Sequence, residues 1–227
     1  MDHAEIIRKT RKSPLIGIVG AAHPSEEYTS NQGIEVGYAI RKYLDGNNGF
    51  VFTGGVDGVG ADAYCGIVRF CIEKWFDTRQ KADDRFFVLV PEYISDNDGF
   101  SQQYYPPRVY SLLARILERD LKVIRAGEDM AKRRECLAQV ADVLVVVNGS
   151  DGTWDEVMLA LAESKPVIAL SETGGIARML SNKKENRSSL RDEHKFRKSG
   201  FSDTVDTNLI FCARNTDEMI QYLSAQF

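Results

Sequence analysis

Short apolar runs alternate along this chain with longer stretches in which apolar residues recur every three or four positions. The runs are Leu15–Gly20, Phe50–Thr53, Phe86–Val90, Lys122–Ile124, Val143–Val147, Pro166–Leu170 and Leu209–Cys212. They show no apolar–polar alternation, which predicts strands covered on both faces of a sheet. Between them, Ile34–Leu44, Asp62–Trp75, Val109–Arg119, Met130–Ala141, Thr153–Ser164, Gly175–Leu180 and Thr216–Ala225 carry helical spacing; Ile67, Phe70, Cys71 and Trp75 are one such stripe. Strict alternation of the two patterns predicts a doubly wound α/β fold: a mainly parallel sheet of about seven strands with helices on both faces. In such folds ligands sit at the carboxyl ends of the strands.

Two stretches do not fit the alternation. Glu92–Arg108 is polar and aromatic, and Ser181–Asp203 is polar and rich in Lys and Arg. Connections this long are usually lids or solvated loops. No Pro/Ser-rich linker divides the chain, so residues 1–227 are read as one domain.

Two glycine-rich turns follow predicted strands and precede predicted helices: Gly54-Gly55-Val56-Asp57-Gly58-Val59-Gly60, and Asn148-Gly149-Ser150-Asp151-Gly152-Thr153-Trp154-Asp155-Glu156. Such turns aim backbone N–H groups and a helix dipole at an anion. Taken alone, the first is equally open to reading as a tight connection without a ligand. Gly58-x-Gly60-x-x-Ala63 also fits the dinucleotide fingerprint, with Asp77 near the acidic position. That fingerprint belongs after the first strand, where Gly20-Ala21-Ala22-His23-Pro24 does not match it. In the second turn, Thr153 and Glu156 have capping-box spacing. Glu156 is therefore either a cap partner or a charged group in the pocket mouth.

Arg133 and Arg134 follow Asp129, a good N-cap, and so fall in the first turn of a helix, where a cation is disfavoured. Arg133 shares the stripe of Met130, Leu137 and Val140. A guanidinium on an inward stripe needs an anion, either a phosphate or Glu156. The alternative is an arginine whose head reaches water. Tyr104, Tyr105 and Tyr110 either stack a base or pterin above the pocket or pack a loop onto the core.

Composition narrows the partners. The net charge is −4 over 227 residues, which argues against a nucleic-acid partner. The apolar runs are too short for a membrane span or a signal segment, so no membrane partner is expected and the protein is read as cytoplasmic. Cys65, Cys71, Cys136 and Cys212 and the three histidines have no ligand spacing. The cysteines are read as small buried apolar residues, and no metal or cofactor is expected.

Met130-x-x-Arg133-Arg134, Ala141-Asp142-Val143, the Gly149–Glu156 turn and Lys165-Pro166-Val167-Ile168 together resemble the LOG-like proteins, long labelled "possible lysine decarboxylase". These belong to the SLOG superfamily of Rossmann-like nucleotide-binding domains. Gly54-Gly55-x-x-Gly58 resembles the family's upstream glycine motif, and Thr173-Gly174-Gly175 resembles the subgroup that includes molybdenum-cofactor carrier proteins. The resemblance covers residues 15–76 and 122–180 and implies a Rossmann-like fold. It further implies hydrolysis of the N-glycosidic bond of nucleoside 5′-monophosphates, with Arg133 and Glu156 catalytic. Gly20, Ala21, Gly54, Gly55, Gly58, Arg134, Gly149, Ser150, Asp151, Gly152, Thr153, Thr173 and Gly174 would hold the phosphorylated, nucleotide-like ligand. A homodimer is implied too. The carrier subgroup implies the alternative, a non-catalytic carrier or sensor of a nucleotide or molybdopterin-type ligand. Two departures stand out: Asn148-Gly149-Ser150 replaces the family's Pro-Gly-Gly, and Arg134 replaces a lysine.

Overall fold

The computed structural model describes residues 13–79, 85–93, 108–117, 120–187 and 206–227. Seven strands are present: β1 (Leu15–Gly20), β2 (Phe50–Thr53), β3 (Phe86–Val90), β4 (Val123–Arg125), β5 (Val143–Val147), β6 (Val167–Leu170) and β7 (Ile210–Ala213). The helices are α1 (Ser30–Gly46), α2 (Val59–Thr78), α3 (Arg108–Ile116), α4 (Met130–Val140), α5 (Asp151–Ala162), α6 (Gly175–Lys184) and α7 (Thr216–Gln226).

The strands form one sheet in the order β4-β3-β2-β1-β5-β6-β7. Every pairing in it is parallel, so the sheet is parallel throughout rather than mainly so. Two apolar cores cover its faces. One gathers Val36, Ile40, Ile67, Tyr110 and Leu223 from α1, α2, α3 and α7. The other gathers Leu137, Val157, Ala160 and Leu180 from α4, α5 and α6. This is a Rossmann-like α/β fold. Among the described residues, no helix is long and apolar enough to cross a membrane.

Local chemistry sets the helix starts. Thr29 and Gln32 form a capping box at α1, and the Asp129 carboxylate accepts from Lys132 N–H at α4. At the far end of α4, the Lys165 ammonium donates to Ala138 O at 2.7 Å and to Gln139 O. Lysine thus closes the last carbonyls of the helix that carries Arg133.

Some boundaries differ from the pattern. α6 continues to Lys184, four residues into the predicted Ser181–Asp203 connection. The remainder of that connection from residue 188, residues 94–107 of the other, and Tyr104 and Tyr105 lie outside the described residues. Cys71 is buried, whereas Cys65, Cys136 and Cys212 are only half-buried.

The chain winds outward from β1 to β4 and then returns to place β5 on the other side of β1. The reversal opens a crevice at the carboxyl ends of β1 and β5, where Gly20 and Val147 lie in register. The β2 and β5 turns flank β1, two strand spacings or about 10 Å apart.

Candidate functional site

Arg133 enters the crevice from the inward stripe of α4, where Met130, Leu137 and Val140 are also buried. Its residue exposure is 3% and that of Glu156 is 5%. Arg133 Nη1 donates to Glu156 Oε1 at 2.6 Å. The guanidinium therefore finds its anion inside the fold, and the water-reaching alternative is excluded. Arg133 Nε is buried with no hydrogen-bond partner. Burial pushes the Glu156 carboxyl above the ordinary carboxylate range; the guanidiniums of Arg133 and Arg134 pull it back only in part.

The glycine turns fit around this pair. A Cβ on Gly54 would lie 2.7 Å from Arg133 Nη1, and one on Gly152 would lie 2.9 Å from Arg134 Nη2. Each arginine thus occupies space that only glycine leaves. Arg134 is half-buried and pairs with Asp155 at 3.3 Å. Gly20, Gly54, Val56, Gly60, Arg133 and Glu156 line a cavity of about 20 Å³, the volume for one water.

Thr153 does not cap α5. The helix begins at Asp151 after Ser150, because the preceding Asn148-Gly149 turn has already redirected the chain. Asn148 has φ +55° and Gly149 φ +109°. Thr153 becomes the third helical residue, and Glu156 is released from any cap to face Arg133.

Other predicted positions are spent on holding the loops together. Ala21 O accepts from Val59 N–H at 3.1 Å, and Gly58 packs against the Ala21 and Ala22 carbonyls. Gly55 N–H donates to the Thr53 hydroxyl at 3.4 Å. Thr173 accepts from Asn148 N–H at 2.6 Å and donates to Leu170 O at 2.7 Å. Gly174 has the Glu27 carboxylate against it. Tyr110 does not stack over the pocket. It is fully buried, and its hydroxyl donates to Val56 O at 2.7 Å.

A larger groove of about 780 Å³ lies between α6 and α7. Its arginines Arg178, Arg187 and Arg214 are paired with Glu27, Glu185 and Glu218. Among the described residues that line it there is no glycine and no buried charged group, so the chemistry concentrates at the crevice instead.

Comparison with known proteins bears on this arrangement. Residues 117–198, which carry Arg133, Arg134 and Glu156, match the family model of the SLOG cluster4 family. The SLOG resemblance holds over that segment. No curated protein matches the sequence. Several solved structures share the fold. TM1055, a structural-genomics target, is 20% identical over 93% of this chain and 99% of its own, with a TM-score of 0.58. The molybdenum cofactor binding protein of the phototrophic bacterium Rippkaea orientalis is 20% identical over 95% and 98%, with a TM-score of 0.54. DNA processing protein A of Helicobacter pylori is 14% identical over 96% and 84%, with a TM-score of 0.54.

The last of these corrects one expectation. DNA processing protein A is described for its single-stranded DNA binding mode, so a protein with this fold binds nucleic acid. A net charge of −4 does not exclude such a partner, because binding follows the local distribution of charge rather than the sum.

Against the SLOG background, the departure at Asn148 has a structural reason. Proline cannot adopt φ +55°, whereas Asn tolerates it. The Asn148 amide donates to Ser25 Oγ and Thr173 O, both at 2.7 Å, and its carbonyl oxygen accepts from Ser25 N–H at 3.3 Å. One side chain thus ties together the loops after β1, β5 and β6. Asn148, Ser25 and Glu27 were not among the predicted site residues. The Asn-Gly pair signals a positive-φ turn; nothing in the sequence flags Glu27.

Proposed function

We propose that the chain binds a nucleoside 5′-monophosphate at the β1/β5 crevice and hydrolyses its N-glycosidic bond, releasing the base and ribose 5-phosphate. One observation carries this reading: a buried guanidinium and carboxylate joined at 2.6 Å at the fold's ligand crevice, with one guanidinium nitrogen still lacking an acceptor. The phosphate lies at the N-terminus of α5, where Arg134 stands beside Gly152 and the dipole favours an anion. The ribose lies at the carboxyl ends of β1 and β2, beside the Arg133–Glu156 pair, where Gly20 and Gly54 line the cavity. Glu156 as carboxylate orients a water toward the anomeric carbon and stabilises the positive charge that develops there as the bond to the base breaks. The water oxygen bonds to that carbon, the C–N bond electrons leave with the base, and the water's proton passes by way of Glu156 to the departing nitrogen. Arg133 holds Glu156 in position and favours its ionised form against the effect of burial.

A second reading, a non-catalytic carrier or sensor of a nucleotide or molybdopterin-type ligand, is favoured by the β5 turn. Asn148 departs there from the LOG-like pattern, and a fold neighbour is a molybdenum cofactor binding protein. Incubation of the purified chain with a panel of nucleoside monophosphates, followed by chromatography for free base, separates the two. Turnover that Glu156→Gln abolishes supports hydrolysis. A co-purified ligand found by native mass spectrometry, with no free base released, supports the carrier.

A further inference from the structure

The buried ion pair does not use every polar atom it takes out of water. Arg133 Nη1 is spent on Glu156, but Arg133 Nε is buried with no hydrogen-bond partner among the described residues. A buried donor of a charged group is rarely left without an acceptor, because its hydration is lost with nothing in exchange. Both members of the pair line the cavity of about 20 Å³. Two glycines keep that space open. A Cβ on Gly54 would stand 2.7 Å from Arg133 Nη1, and one on Gly60 would stand 3.5 Å from Val56 Cγ2. Val56, itself buried, supplies part of the apolar wall.

We infer that this cavity is the site of one resident water molecule, held between Arg133 Nε and the Glu156 carboxylate, and that this water is the nucleophile of the hydrolysis. The nucleophilic role rests on the nucleoside monophosphate reading above; the water site does not. Volume and charge choose the occupant. A space of about 20 Å³ takes one water and nothing larger. The Glu156 carboxylate repels an anion and the Arg133 guanidinium repels a cation. Water has both a lone pair for the Nε–H and a proton for the carboxylate. Held in this way it is already oriented, with its second lone pair left for the anomeric carbon. In the reaction the water oxygen bonds to that carbon and the C–N bond breaks, its electrons leaving on the base. The water's proton passes through Glu156 to the departing nitrogen. Methanol, one carbon larger, has no room in the same place.

Nuclear magnetic resonance on the full chain with isotopically labelled arginine tests the water site. The Arg133 Nε–H signal, identified by its loss in Arg133→Lys, should show a dipolar cross-peak to a water of long residence. Val56→Leu, which extends a side chain into the cavity, should remove that cross-peak. No such cross-peak in wild type, or one that survives Val56→Leu unchanged, overturns the site. Cleavage of adenosine monophosphate in aqueous methanol tests the nucleophile. Wild type should release ribose 5-phosphate and no methyl riboside 5-phosphate, whereas Val56→Ala, which widens the cavity, should release both. Methyl riboside 5-phosphate from wild type, or none from Val56→Ala, overturns the resident water as nucleophile. If wild type cleaves no nucleotide, the functional reading fails and the nucleophilic role falls with it; the cross-peak then decides the water site by itself.

Discussion

Arg133 and Glu156 come from different helices, 23 residues apart in sequence, and meet at 2.6 Å where water hardly reaches them. A buried ion pair is weak evidence for stability, since desolvation offsets much of the attraction. The direction in which the Glu156 carboxyl is displaced says the same. It lies above its ordinary range because burial outweighs both arginines. A pair kept at that cost, beside a cavity and two glycine turns, fits a functional demand better than a structural one.

The sign of that displacement gives a stability prediction. The folded chain holds the Glu156 proton more tightly than the unfolded chain does. Stability therefore falls as pH rises from the ordinary glutamate value, about 4.3, up to the raised folded value, and is level beyond it. Glu156→Gln removes this fall. Chemical denaturation across pH should give matching stabilities at the acid end and a more stable Gln variant at neutral pH, with turnover lost. Arg133→Met removes the guanidinium that pulls the carboxyl down, so the acid limb of any residual turnover should move to higher pH.

Gly54→Ala and Gly152→Ala should separate the two arginines. The first places a methyl 2.7 Å from Arg133 Nη1, inside the buried pair; the second meets the half-buried Arg134 at 2.9 Å. Arg134 can swing toward solvent and Arg133 cannot. Gly54→Ala should cost about 1–3 kcal/mol of stability by overpacking and abolish activity. Gly152→Ala should fold normally and chiefly weaken nucleotide affinity, because the methyl occupies the phosphate cradle. Thermal melts and binding titrations on both variants check the contrast.

These contrasts also show what was legible beforehand. Arg133 was readable because helical spacing put it on the stripe of Met130 and Leu137, and Asp129 fixed where the helix began. The strands were readable because parallel sheets buried on both faces need unbroken apolar runs. Thr153 misled, because capping-box spacing is local while the start of α5 is set by the backbone at Asn148. Tyr110 was ambiguous between a ligand face and the core until tertiary packing decided. Glu27 was invisible, since its partners Gly174 and Arg178 are brought to it only by the order of the strands.

Tyr110 predicts a positional effect at a distance from the chemistry. Its hydroxyl anchors the Val56 carbonyl from the opposite side of the glycine turn and abuts Gly60. Tyr110→Phe leaves that carbonyl without this donor, at a cost of about 1–3 kcal/mol, and lets the β2 turn move. The chain should remain folded by circular dichroism. Nucleotide affinity should fall several-fold, whereas Tyr64→Phe, in the same aromatic cluster, should leave affinity unchanged.

Asn148 offers the sharpest test of the β5 turn, because the LOG-like pattern has proline there. Restoring the family residue would ordinarily be expected to improve the site. Here Asn148→Pro demands a φ near −65° where the backbone stands at +55°, and it deletes the N–H that Thr173 accepts. The variant should therefore lose several kcal/mol, by backbone strain and by orphaned polar groups at Thr173 and Ser25. Asn148→Gly keeps the backbone conformation and the N–H but removes the amide that joins Ser25 to Thr173. It should stay folded while the β1 and β6 loops uncouple, seen as faster hydrogen exchange around residues 21–29 and 171–174. If Asn148→Pro instead folds with wild-type stability, the turn can adopt the family geometry, and the left-handed Asn148 hub is not what shapes the crevice.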